Sequence, residues 1–77
     1  MVRLMPYRYT LTVAGVDRHS AVHTDPSSLA RDVVARASGF GVFAVTEKDL
    51  ARYIAQGIRI IDLQLRDPIV TVTVDRV

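Results

Sequence analysis

The stretch IRIIDLQLRDPIVTVTV, residues 58–74, constrains this chain more than any other: two β-branched, apolar runs split by an Arg66-Asp67-Pro68 corner. Runs of this composition bounded by a turn signal read as strands. In the second run Val70, Val72 and Val74 share one face, and Ile69, Thr71, Thr73 and Asp75 share the other. In the first, Ile61, Leu63 and Leu65 face one way while Ile58 and Ile60 face the opposite way. That phase change predicts a bulge or a helix exit near Ile60. Asp67-Pro68 suits a tight turn with proline in its second position. A hairpin with an apolar face is not stable bare, so the rest of the chain must cover it.

The cover can be sought segment by segment. Met5 to Val13 alternates, with Met5, Tyr7, Tyr9, Leu11 and Val13 on one face and Pro6, Arg8, Thr10 and Thr12 on the other. This is the pattern of a half-buried strand. Ala14-Gly15 turns the chain, and Val16 to Thr24 returns as a more polar strand, suited to a sheet edge. Asp25 and Pro26 then form a helix start, followed by Leu29, Ala30, Val33, Val34 and Ala37 at helical spacing. Asp32 and Arg36 make a surface pair, and Gly39 is the expected stop.

The segment from Gly39 to Val45 is too apolar for an exposed loop and is expected to be buried. Thr46 caps a second helix, with Asp49 in the capping-box position, Leu50, Tyr53, Ile54 and Ile58 inward, and Gly57 as its end. The order is therefore β-β-α-α-β-β. The fold class is α+β: an antiparallel sheet of about four strands with two helices on one face. The other face would expose Arg8, Thr10, Thr12, Asp62, Gln64, Arg66, Thr71 and Thr73, a solvated surface.

Seventy-seven residues without a cysteine form one small domain with no disulfide staple or thiolate metal site. Such a domain packs its one core well or adds a partner chain. No apolar run approaches the length of a membrane span, and Met1 to Thr10 lacks a signal-peptide core, so a cytoplasmic location with no membrane partner is expected. The formal charge is +2, and arginine supplies every basic residue except Lys48. With abundant Ala and Val, this bias matches a GC-rich genome, a bacterium's or its phage's. The arginines are scattered, whereas nucleic-acid proteins concentrate charge on one face.

Candidate chemistry is sparse. His19 and His23, flanked by Asp17 and Asp25, have the spacing of a two-histidine metal grip on a helix. On a strand they lie about 13 Å apart, so no metal or other cofactor is expected and both read as exposed edge residues. Ser20 and His19 point to opposite faces, which removes a nucleophile and base pair. Ser38-Gly-Phe-Gly-Val42 lacks the third glycine and the lysine of nucleotide motifs and leaves a helix rather than entering one. The chain is not expected to be an enzyme.

Binding remains. If the strand ending at Val74 lies at a sheet edge, it can pair with another protein or a second copy through Ile69, Thr71, Thr73 and Asp75, giving a regulator, an inhibitor or a homodimer. If it is interior, both its sides are used; the pattern is compatible with either. The alternative is nucleic acid, gripped by Arg31, Arg36, Arg52 and Arg59 in a winged-helix-like arrangement or on a sheet surface. Against it, no recognition helix follows Ile54, and Tyr7 and Tyr9 share a face with core residues.

Overall fold

The computed structural model describes residues 6–43 and 45–77. The elements are β1 (Tyr7–Val13), β2 (Val16–His23), α1 (Pro26–Ser38), α2 (Glu47–Ala55), β3 (Ile60–Gln64) and β4 (Val70–Arg76). They form the expected α+β fold, with a four-stranded antiparallel sheet in the order β2-β1-β4-β3. Met5, expected to begin the first strand, lies outside the described residues.

The sheet order answers the question of the C-terminal strand. β4 is interior, paired along its whole length with β1 from Tyr7↔Arg76 to Val13↔Val70 and on its other side with β3. Of the two placements the sequence left open, the interior one holds, so pairing with another protein or a second copy through an edge of β4 is ruled out. The edges are β2, as its polar composition predicted, and β3.

The inner face carries the core. Tyr9, Leu11, Val70 and Val72 are fully buried where β1 and β4 lie side by side, and Ile61 and Leu63 extend the apolar surface onto β3. α1 covers it with Leu29, Ala30, Val33 and Ala37, and α2 with Leu50 and Ile54. Val34 and Tyr53 pack partly buried against this core. Local signals set both helix starts. The Asp25 carboxylate accepts the Ser28 N–H at 2.9 Å, and the Thr46 hydroxyl accepts the Asp49 N–H at 3.2 Å.

The helix ends are a matched pair. After α2 the Gly57 N–H donates to the Ile54 carbonyl and the Ile58 N–H to that of Tyr53, with Gly57 left-handed at φ 85°. This is a Schellman termination. α1 repeats it one turn beyond its last α-helical residue: Gly41 N–H donates to Ser38, Val42 N–H to Ala37, and Gly41 has φ 82°. Gly39, the expected stop, stays right-handed at φ −64°, so the left-handed residue is the second glycine.

Beyond it the connection divides: Val42 is buried and Phe40 half-buried, while Phe43 is 77% exposed against expectation. The sheet departs from regular pairing at two places. One lies opposite Leu11/Thr12, where Arg18 is the extra residue of β2, and the other falls between Asp62 and Gln64. Near Ile60, where a bulge or a helix exit was expected, the chain has just left α2 through Gly57 and begins β3. Leu65, read as inward, follows the second irregularity and is 75% exposed. The Asp67–Pro68 peptide bond is cis.

Ala14 and Gly15 link β1 to β2 with φ values of 52° and 77°. Two consecutive positive φ values define the hairpin turn in which Asn-Gly is preferred, and alanine is strained there. Ala14→Asn should therefore raise stability by about 0.5–1 kcal/mol, whereas Gly41→Ala should lower it by about 1–2 kcal/mol. Urea denaturation checks both, and equal effects of the two changes would contradict the backbone description.

Candidate functional site

The sheet face turned away from the helices is bare among the described residues. Strand pairing arranges its side chains in rows across the strands. The first row is Val22 on β2, Arg8 on β1 and Asp75 on β4; the second is Ser20, Thr10, Thr73 and Ile60; the third is Asp17, Thr12, Thr71 and Asp62. Ile69, just before β4 and 52% exposed, lies beyond the third row, its carbonyl accepting the Ala14 N–H. The four residues singled out for partner binding, Ile69, Thr71, Thr73 and Asp75, therefore share this open face. They sit on its interior column rather than at an edge.

The centre is flat because directly opposed threonines, Thr10↔Thr73 and Thr12↔Thr71, fill it. Charge is segregated to its ends. In the third row the Thr12 hydroxyl donates to Asp17 at 3.0 Å and the Thr71 hydroxyl to Asp62 at 3.2 Å, so each carboxylate is held by its cross-strand neighbour. Neither has a cation partner among the described residues. At the other end Asp75 is taken by Arg59, which leaves Arg8 without a carboxylate among the described residues. The face thus has a cationic end, a hydroxyl and aliphatic middle with Ile60 66% exposed, and an acidic end.

Both sheet edges are blunted. β2 carries the irregularity at Arg18 beside exposed Asp17, and β3 has only five residues, interrupted near its middle. Short, bulged and charged edges resist pairing with another chain.

The helix side holds a polar cluster that the sequence reading missed. His19 and His23 lie on the inner face of β2, opposite Leu11 and Tyr7, and converge on Asp32 of α1. The Asp32 Oδ2 accepts the Tyr9 hydroxyl at 2.7 Å, with His23 Nε2 at 2.9 Å and His19 Nε2 at 4.0 Å. The Tyr9 ring stacks on His23 and is tilted against His19. The histidines are therefore partly buried rather than exposed, and Asp32 has far more than the surface pairing with Arg36 that its spacing suggested. The alternation of β2, continued inward, carried this signal: His19, Ala21 and His23 fall on one side.

Burial, reinforced by the neighbouring carboxylate, raises the Tyr9 phenol far above its ordinary range. For Asp32 partial burial acts upward, but hydrogen bonds from Tyr9 and His23 and the charges of His23 and Arg36 outweigh it, and the carboxyl is held below its usual range. No group of three or more His, Cys, Asp or Glu among the described residues is arranged to hold a metal ion. The cluster ties edge strand β2 to α1.

The arginines named for nucleic acid are spread over the helix layer and the loop before β3. Each faces a carboxylate: Arg31 with Glu47, Arg36 with Asp32, Arg52 with Asp49 and Arg59 with Asp75. To grip phosphates each must surrender that partner. Tyr9 is fully buried, Arg76 lies 4.3 Å from the ring centroid of Tyr7, and neither ring is on the open face. α2 runs through Gly57 straight to β3 without a further helix. The described helices include none long and apolar enough to cross a membrane.

No family model, curated protein or solved structure matches this chain.

Tyr9→Phe removes a hydrogen bond to an ionised acceptor and should cost about 1.5–3 kcal/mol in urea denaturation at neutral pH. The folded value of Asp32 lies below the unfolded one, so its contribution is complete above the ordinary carboxylate range and lost as pH falls through the lowered value. The penalty of Asp32→Ala should accordingly be full at about pH 7 and shrink toward pH 3. A penalty independent of pH would contradict the role of the charge.

Proposed function

We propose that this chain is a non-catalytic protein-binding module that occupies a partner's surface with the open face of its sheet, as a small regulator or inhibitor does. The observation that carries this reading is the composition of that face: a flat threonine lattice with exposed Ile60 and Ile69, bracketed by Arg8 at one end and Asp17 and Asp62 at the other, which have no ionic partner among the described residues. A surface of this kind is shaped for another protein. Small side chains allow close approach, the aliphatic groups gain from burial, and the separated charges set orientation.

The cleft between the end of α2 and the sheet, lined by Tyr7, Ile54, Ile58 and Val74, is shallow and open. Three charged side chains, Arg59, Asp75 and Arg76, also line it, and Arg59 and Asp75 are already engaged with each other. The His19–His23–Asp32–Tyr9 cluster is spent on joining β2 to α1, and the raised Tyr9 phenol is unsuited to act as a base. A binding role therefore uses the molecule's most unusual surface and leaves the internal cluster to stability.

A photo-crosslinking side chain in place of Thr10, compared with one in place of Arg52 on the helix layer, tests the reading in cells that express the chain. The expected result is a nuclease-resistant protein adduct from position 10 and none from position 52. Adducts only from position 52, or adducts that vanish with nuclease, would overturn it.

A further inference from the structure

We infer that the occupant of the open face is a second copy of this chain, seated face to face about a two-fold axis that lies in the face and runs perpendicular to the strands. The inference rests on the reading of that face as a protein-binding surface and names its partner. Charge complementarity selects the arrangement. An axis along the second row lays Ser20, Thr10, Thr73 and Ile60 over their own copies and inverts the strand direction. The end bearing Arg8 then lies over the partner copy's acidic end, where Asp17 and Asp62 have no cation among the described residues. An axis along the strands would instead bring Asp17 against Asp62, opposing like charges.

The reach is adequate. β1 lies over β1, so Arg8 faces the Thr12 position of the other copy, and Asp17 is one strand away, about 4.8 Å across the sheet. An arginine side chain spans that distance. Ile60, 66% exposed, meets its own copy at the margin and gains the burial it lacks in the single chain. Aligned packing of two twisted sheets at about 30° is the ordinary geometry for such faces. The blunted edges of β2 and β3 favour this contact over a continuous sheet.

The face is four strands wide, so the buried area falls near the lower end for specific complexes, about 1,000 Å² in total. A weak dimer is expected, populated between about 10 μM and 1 mM.

Sedimentation equilibrium of the full chain over that concentration range provides the test, supported by charge reversal at exposed positions. The expected result is reversible self-association that weakens about tenfold with Arg8→Glu or with Asp17→Arg and Asp62→Arg together. Combining all three changes should restore it, because the charges exchange ends. Loss of association with Thr73→Glu at the centre of the face should accompany these effects. A chain that is monomeric at about 1 mM, or a dimer indifferent to the charge changes, would overturn the inference. If the monomeric chain still gives a heterologous adduct from position 10, the binding reading stands and only the identity of the partner fails. If neither a dimer nor an adduct forms, both fail.

Discussion

Everything in this fold depends on the pairing of the first strand with the last. β1 and β4 lie side by side in the middle of the sheet, with every residue of β1 matched to one of β4. Their inward side chains, Tyr9 and Leu11 against Val74 and Val72, form the floor on which both helices rest. Bringing these strands together closes a long loop, a conformational cost offset only when the helices between them seal the apolar face. The interior position of β4 has a second consequence. It consumes both hydrogen-bonding edges of the most β-prone segment, which removes the chain's most adhesive stretch from solvent.

The same pairing fixes what the outer surface looks like. Because alternate residues of a strand point to opposite faces, burying Val70, Val72 and Val74 forces Thr71, Thr73 and Asp75 outward. Burying Tyr9 and Leu11 likewise forces Arg8, Thr10 and Thr12 outward. The open face is thus the complement of the core. Its threonine lattice follows from strands that need β-branched residues on both sides but apolar ones on only one. The placement of Arg8 at one end and Asp17 and Asp62 at the other is not required by the core, and in the proposed binding role it is the part of the surface that would orient a partner.

Much of this was legible in the sequence because each element announces itself locally. Alternation exposed β1 and β4, Asp25-Pro26 and Thr46 marked the helix starts, and Leu29, Val33, Leu50 and Ile54 fell at helical spacing. The sequence pattern left open which strands are neighbours, since a strand with one apolar face looks the same at an edge or in the interior. Contacts between distant elements were hidden for the same reason. Nothing local links Tyr9 to Asp32, or either histidine to α1, until the sheet places β2 beside β1 and the helix above both. Gly41 rather than Gly39 ends α1 because the chain takes one further tight turn, and two glycines two residues apart give the pattern no way to choose. Ile69, Thr71, Thr73 and Asp75 could be placed on one face because side-chain alternation is local; whether their strand is an edge or interior stayed open because strand order is not.

Native-state amide hydrogen exchange tests the central pairing most directly. With β4 interior, consecutive amides from Val70 to Val74 should all be protected, bonding alternately to β1 and β3, as should those of β1. In β2 and β3 protection should fall on alternate residues only. If every second amide of β4 exchanged freely, that strand would be an edge. The row arrangement and the face-to-face contact built on it would then both be wrong.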